Sequence, residues 1–139
     1  MADLKVEIVS PERLLVSETA QSVTIPGTEG YFTVLGEHAP LMTTLRPGFI
    51  TAVTATGQHV YFVRGGFADV APEGLTILAE QALPIAEFDP SSIDADVASA
   101  EAAVAAASTI EEKSAATEKL DAWRNLRLEA GQVGDATRH

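Results

Sequence analysis

The three histidines are the residues of this sequence best suited to acid–base or metal chemistry, and they stand at positions 38, 59 and 139. None has the spacing of a metal ligand from another histidine or a carboxylate pair. Cysteine is absent, which removes thiolate nucleophiles and Cys-ligated zinc. No segment resembles a nucleophile elbow or H-E-x-x-H, although a Ser/His/Asp triad has no fixed order along a chain and stays an alternative. We expect no catalytic residue, no metal and no cofactor, and we interpret His59, beside a predicted turn, as exposed.

The sequence gives little support for the binding of phosphate or of nucleic acid. Gly27 and Gly30 have a loop-like spacing but lack the Lys-Ser/Thr of a phosphate loop. The formal net charge is −11, whereas nucleic-acid binding needs clustered Lys and Arg. An anionic membrane surface is an equally poor partner. The acidic balance favours docking to basic protein surfaces instead.

The amino-acid composition and pattern of the chain change near Asp89-Pro90. Before it, short β-rich segments alternate with Gly and Pro, at a spacing typical of an antiparallel sandwich or flattened barrel. The predicted strands are 4–9, 14–16, 23–25, 31–35, 41–45, 49–54, 60–67 and 75–79. Turns are predicted between them, among others at Pro47-Gly48. With 46% hydrophobic residues, the chain can bury a core of this kind.

The second half predicts an Ala-rich pair of helices. Ser91 with Asp94 is expected to cap the first helix, and Ser108 with Glu111 the second, with a turn at 107–109 and an end at Gly131. One apolar stripe is predicted on each helix. These stripes consist of Ile93, Val97, Ala100 and Val104, and of Ile110, Ala116, Leu120, Trp123 and Arg127 with Leu126 beside it. Because buried alanine contributes little, the hairpin is expected to be marginal on its own.

Two segments resemble a known family. Residues 23–41, VTIPGTEGYFTVLGEHAPL, followed by LRPG at 45–48, resemble the pattern G-x-x-G-x-[apolar]-x-x-L-x-x-H-A-P-L and L-[KR]-P-G of F-type ATP synthase epsilon subunits. Residues 62–70, FVRGGFADV, followed by TILAE at 76–80, are similar to that family's second pattern. The order, the separation and the Ala-rich tail also match, so the resemblance covers nearly the whole chain.

The resemblance implies a fold and a role. The fold is a β-sandwich or flattened antiparallel β-barrel of about ten strands (residues 1–87), followed by an antiparallel two-helix hairpin and short tail (88–139). The role is that of a non-catalytic central-stalk subunit that couples proton-driven c-ring rotation to ATP synthesis. Its implied partners are the gamma subunit, the c-ring and catalytic beta subunits, and its implied place is the cytoplasmic face of a bacterial inner membrane, reached only through the complex. The absence of a signal or transit sequence agrees with that expectation.

The family also implies interface residues. Those at the gamma and c-ring contacts are Glu29, Gly30, Tyr31, Glu37, His38, Gly65 and Gly66. The sequence departs from the common pattern at Glu37, which replaces a usual Gly, and at Tyr31, where a polar residue is frequent. From its own residues, Gly65-Gly66 predicts a bulge or a close approach of another chain.

Regulation in the family involves the hairpin. Some members bind ATP through I-D-x-x-R-A; here Ile93-Asp94 is followed by Val97 in place of the arginine, so no tight nucleotide site is expected. In others the second helix inhibits hydrolysis through basic residues, for which Arg124 and Arg127 are the candidates. The rival hypotheses are an independent β-domain that senses a small ligand, which needs a concave pocket, and a small hydrolase on a β-scaffold.

Overall fold

Eight strands and two helices make up the described part of the chain. The structure is a computed structural model that describes residues 3–12, 14–36 and 39–137, with side chains as far as Gly131. Its compact units are Met1–Phe88 and Asp89–His139. The elements are β1 (Leu4–Val9), β2 (Leu14–Ala20), β3 (Ser22–Gly27), β4 (Gly30–Leu35), β5 (Leu41–Thr54), β6 (Gly57–Ala71), β7 (Gly74–Ala79), β8 (Ala82–Pro84), a 3-10 turn (Ile85–Glu87), α1 (Ser92–Ala106) and α2 (Ile110–Thr137).

The strands belong to one sheet with the order β2-β1-β7-β6-β5-β3-β4, and β8 also pairs with β6. Buried side chains from all eight strands meet in a single core cluster. One sheet can bury a common core only by folding over on itself, so the first unit is a sandwich. The predicted sandwich followed by two helices is therefore confirmed. In the described ranges, however, the strands number eight rather than about ten, and the sheet ends at β2 and β4 instead of closing into a barrel.

Strand β1 shows why the sequence folds this way. Its burial alternates between core and surface along Leu4–Val9, as its apolar–charged alternation predicts. It pairs with β2 in the antiparallel sense but with β7 in the parallel sense, with Val6 opposite Leu75. The expectation of a fully antiparallel sheet is wrong at this pair.

Strand β5 corrects a predicted turn. Pro47 and Gly48 lie inside one strand that pairs with β6 along its whole length. Pro47 is tolerated because the ladder between β3 and β5 shifts register between Thr24 and Gly27, so its missing N–H breaks no hydrogen bond there. At Gly48 an added Cβ would stand 2.8 Å from both Pro26 Cβ and Tyr31 Oη, so glycine is required by close packing.

The first unit extends to Phe88, one residue beyond the predicted boundary, because this ring completes an aromatic cluster. The Phe88 ring stacks on Phe62 with centroids 4.4 Å apart and meets Phe49 edge-on at 5.5 Å. Phe49 and Phe62 are almost fully buried but lie outside the main core cluster. Phe88 is thus the residue that fastens the end of the first unit to its sheet.

The helices begin with different caps from those predicted. The Ser91 side chain caps nothing; instead the Asp89 Oδ1 accepts the Ser91 N–H at 3.0 Å. At the start of α2, Thr109 Oγ1 accepts the Glu112 N–H, and Glu112 reaches back to the N–H and hydroxyl of Ser108, each at 3.0 Å. The capping box is therefore Thr109-x-x-Glu112, one residue later than expected.

Two further expectations for α2 are wrong. The helix continues past Gly131 to Thr137, since a helical glycine costs only about 1 kcal/mol when it does not adopt positive φ. Ile110, placed on the apolar stripe, is 88% exposed at the first helical position. The turn at 107–109 is as predicted. No helix in the described ranges has a stretch apolar and long enough to span a bilayer.

Candidate docking surface

The β3–β4 connection carries the first group of predicted interface residues. Thr28 and Glu29 form an exposed two-residue turn between the paired Gly27 and Gly30. Gly30 has φ +131° with no heavy atom near its missing side chain, so backbone conformation rather than space requires glycine. The Glu29 carboxylate consequently lies at an exposed loop tip, where packing within the unit does not determine which residue type occupies the position.

Tyr31 has a structural role that its exposure alone does not reveal. Its side chain is 41% exposed, yet its hydroxyl accepts the N–H of Phe49 at 3.0 Å. Phe49 lies in the stretch where the β3–β5 ladder shifts register, so the hydroxyl replaces a strand carbonyl. The unusual tyrosine at this position is explained by that hydrogen bond. Glu37 and His38, the next predicted interface residues, lie outside the described residues.

Gly65 is explained by its positive φ alone, whereas Gly66 is explained by positive φ together with a close approach within the chain. Both have positive φ, +95° and +128°, while β6 keeps one continuous register with β7 and β8, so they form no bulge. A Cβ on Gly66 would collide with the Leu78 carbonyl oxygen and stand 2.8 Å from Ala79 Cα. The close approach at Gly66 is thus made by β7 of the same chain, and an approach of another chain to this region stays a prediction.

An exposed apolar row crosses five strands and was not predicted. Phe67 on β6 lies opposite Leu78 on β7, Leu78 opposite Val9 on β1, and Val9 opposite Leu14 on β2. Directly paired residues present their side chains on the same face. Phe67, Leu78 and Leu14 are 54%, 52% and 56% exposed, and Met42 on β5 extends the row. The signal in the sequence was apolar side chains at positions that alternation assigns to the solvent face.

His59 is not the simply exposed side chain that was expected. Its Nδ1 lies 2.9 Å from Glu18 Oε2, and Tyr61 Oη donates to the other Glu18 oxygen at 3.5 Å. Glu18 belongs to β2 and the other two to β6, strands that are not neighbours in the sheet. This cluster links the edge strand β2 to the central strand β6 by side chains alone. Among the described residues no three His, Asp or Glu side chains converge as metal ligands.

The raised pKa of Tyr61 predicts that the folded state loses stability at alkaline pH. Burial, and then the nearby Glu18 charge and its hydrogen bond, raise the pKa of Tyr61 from 10.0 to about 12. The folded state therefore holds this proton more tightly, so its contribution is complete below pH 10 and is lost as the pH rises towards 12. We expect the melting temperature of Tyr61→Phe, followed by circular dichroism, to fall less steeply over that range than that of the parent. Tyr31→Phe is the control, and the same slope in both variants would contradict the assignment.

The two arginines predicted to act in regulation are paired across the hairpin. Arg127 Nε donates to Asp94 Oδ1 at 2.8 Å, and Arg124 Nη2 donates to Glu101 Oε2 at 3.3 Å. Because the start of α1 meets the later part of α2, the hairpin is antiparallel. Ile93 is fully buried, and Val97 is half-buried. Asp94, the carboxylate of the nucleotide-motif position, is thus engaged by a side chain of the same unit.

Comparison with known proteins relates both the sandwich and the helical tail to one protein family. Residues 3–85 match the family described as ATP synthase, Delta/Epsilon chain, beta-sandwich domain. The ATP synthase epsilon chain of Parvibaculum lavamentivorans is 46% identical over 126 residues, which cover 89% of this chain and 95% of that protein. The chain belongs to the ATP synthase epsilon chain family.

Other members agree with this assignment. The epsilon chain of Sinorhizobium medicae is 49% identical over 115 residues, 82% of this chain and 84% of that one. Among solved structures, a chain of the Euglena gracilis mitochondrial ATP synthase (OSCP, F1 and c-ring) superposes with TM-score 0.67 at 21% identity, covering 100% of this chain and 83% of that one. A chain of the Tetrahymena thermophila central stalk and c-ring gives 0.61 at 16%, covering 93% and 96%. The epsilon resemblance predicted from sequence is confirmed, and the solved structures support the fold.

Proposed function

We propose that this epsilon-family chain is a non-catalytic subunit of the central stalk of a rotary ATP synthase. It docks on the gamma subunit and on the c-ring, and it couples ring rotation to ATP synthesis without making or breaking a bond itself. The similarity to epsilon chains along most of the sequence supports this role. Its place on the cytoplasmic face of a bacterial inner membrane follows from the same proposal, through the complex alone.

The apolar row is the observation that carries the proposal. Soluble monomers seldom expose large apolar side chains side by side, and such patches mark protein contacts. Here the residues lie in register across β6, β7, β1 and β2, which gives a rigid surface rather than a mobile loop. Because β-strands fix the spacing of the side chains, this surface is suited to transmitting force. We assign it to the gamma subunit.

A second surface at the other side of the sheet fits the ring. Leu35 at the end of β4 and Leu41 at the start of β5 are 51% and 42% exposed and flank the segment that contains Glu37 and His38. The exposed Glu29 turn and Tyr31 belong to the same β3–β4 hairpin. The carboxylate of Glu29 would favour basic loops on the ring. We place the c-ring contact here.

The test is binding to purified gamma subunit. Phe67→Asp places a charge in the middle of the apolar row, and we expect it to weaken gamma binding at least ~10-fold, since a buried aromatic anchor contributes more than ~1 kcal/mol. Leu35→Asp is the matched control, because it makes the same kind of change at a similarly exposed residue on the other surface. Leu35→Asp should leave gamma binding unchanged. Circular dichroism confirms that both variants are folded.

Two outcomes would contradict the assignment. If Phe67→Asp binds gamma as tightly as the parent, the apolar row is not the gamma surface. If neither the parent nor Leu35→Asp binds gamma at low salt, the stalk proposal itself fails. The two results are distinguishable because the first concerns one variant and the second concerns the unaltered chain.

A further inference from the structure

The tip of the β3–β4 hairpin, the exposed turn Thr28-Glu29, is attached to the rest of the sheet at few points. The two strands of the hairpin pair with each other along their whole length. The ladder from β3 to β5, however, shifts register between Thr24 and Gly27, and beyond the shift only Gly27 pairs, with Leu45. Pro26, inside the shift, has no N–H to donate. Backbone hydrogen bonds therefore hold the tip to β5 only weakly.

The side chain of Tyr31 crosses this gap in the ladder. Tyr31 lies on the edge strand β4, directly opposite Pro26 on β3. Its hydroxyl accepts the N–H of Phe49 on β5 at 3.0 Å, so one side chain joins two strands that are not neighbours in the sheet. Adjacent strands lie about 4.8 Å apart, so the contact bridges two strand spacings, about 10 Å. We call this hydrogen bond the β4–β5 strap.

The surroundings of the Tyr31 hydroxyl keep the strap in one position. A Cβ on Gly48 would stand 2.8 Å from both Tyr31 Oη and Pro26 Cβ, so the missing side chain of Gly48 makes room for the hydroxyl. Phe49 is only 3% exposed, and a buried N–H without an acceptor is costly. The position of the hydroxyl is thus determined both by close packing and by an N–H that needs an acceptor.

We propose that Tyr31 is a positioning residue for the c-ring contact: the strap fixes the hairpin so that the Glu29 carboxylate is presented in one place. Tyr31 then acts through Glu29 rather than by its own contact with the ring. This inference deepens the proposed function and rests on it. A surface that is ordered before docking loses less conformational entropy on binding, and it binds more tightly for that reason. Without the strap, docking would have to order the tip first.

A second hydroxyl on β4 provides a matched control. Thr33 Oγ1 lies 2.9 Å from Thr24 Oγ1 on β3. This hydrogen bond joins two strands that are already paired, and it lies farther from the tip than the gap does. Tyr31→Phe and Thr33→Val each remove one hydroxyl group from the same strand. Only Tyr31→Phe removes the strap.

The strap is first measured in the free full-length chain, by hydrogen exchange of the Phe49 amide followed by nuclear magnetic resonance. We expect this amide to exchange about 10-fold faster in Tyr31→Phe than in the parent, because it has lost its acceptor. It should exchange at the parent's rate in Thr33→Val. Unchanged exchange rates at core amides of β1 and β7 show that both variants are folded. If the Phe49 amide exchanges equally slowly in Tyr31→Phe and the parent, the proposal is overturned.

The consequence for docking is measured with purified c-ring in detergent and with the chain bound to the gamma subunit, gamma alone giving the background. We expect Tyr31→Phe to weaken ring binding about 2- to 10-fold, the range that corresponds to one net hydrogen bond. Its affinity for gamma should equal the parent's, since the strap lies on the other surface. Thr33→Val should leave both affinities unchanged.

A double-mutant cycle distinguishes positioning from a merely structural role. If Tyr31 acts through Glu29, then Glu29→Gln should weaken ring binding by a factor about two-fold smaller in the Tyr31→Phe background than in the parent. Equal factors in the two backgrounds would overturn the inference, as would ring binding by Tyr31→Phe at the parent's affinity, and both results would leave the proposed function intact. If the parent chain adds nothing to the ring binding of gamma alone, the c-ring part of the proposed function fails, and the inference fails with it.

Discussion

Gly66→Ala is expected to destabilise the β-unit by about 3–5 kcal/mol, enough to unfold much of it at 37 °C. The backbone at Gly66 has φ +128°, which costs an alanine about 1–3 kcal/mol. Its Cβ would also collide with the Leu78 carbonyl oxygen on the neighbouring strand. Because that neighbour is backbone, relief requires β6 and β7 to separate, and their ladder hydrogen bonds would weaken. Urea unfolding followed by far-ultraviolet circular dichroism measures the loss.

Gly57→Ala separates the two causes. Gly57 also has φ +128°, but no heavy atom lies within 4 Å of its missing Cβ. We expect this variant to lose only the backbone contribution, about 1–2 kcal/mol. A loss at Gly66 no larger than that at Gly57 would show that the close approach of β7 is not the reason for glycine at that position.

Phe88→Ala is expected to lower the free energy of unfolding by about 2–4 kcal/mol. The upper limit is below that for a fully buried phenylalanine because Phe88 is only half-buried. The change removes the stacked contact with Phe62 and the edge-on contact with Phe49. Those two rings would then be exposed on the native protein. We therefore expect both a lower melting temperature and new binding of the dye ANS before the unfolding transition.

Phe67→Ala is the matched control for Phe88→Ala. It removes the same side chain from an exposed position of the same unit. Its melting temperature should change little, and its dye binding should not increase. Equal dye binding by the two variants would contradict the view that Phe88 covers the aromatic cluster.

Local patterns predicted the elements where one physical rule dominates. The alternation of β1, the apolar runs of β3 and β7 and the Ala-rich helices all appear as expected, since burial on one face decides each of them. The turn predicted at Pro47-Gly48 was wrong because this dipeptide, although common in turns, can also lie inside a strand where the ladder to the neighbouring strand shifts register. Strand β8 has only three residues, too few for a periodic pattern. The caps shifted because the neighbouring Thr109 and Asp89 side chains accept N–H groups one or more residues away from those that the predicted serine caps would use.

The candidate surface was less predictable because it depends on register between distant segments. Alternation assigns Phe67 and Leu78 to the solvent face of their own strands, but only the pairing of β6 with β7 shows that the two side chains lie side by side. His59 met Glu18 through the fold of the sheet, which no spacing reveals. Tyr31 likewise acquired its role from a register shift in another strand. By contrast, the need for glycine at Gly66 was visible in the sequence, although its partner was not.

The parallel pairing of β1 with β7 has a consequence for synthesis of the chain. Strand β1 precedes its partner β7 by most of the first unit, so the two strands can pair only after that unit has been translated. Until then β1 can pair only with β2, and the backbone hydrogen-bonding groups of its other edge stay open to other nascent chains. Contacts between such distant segments also slow folding, because the intervening loop must close first. Production of this protein should therefore depend on protection of its amino-terminal hairpin during translation.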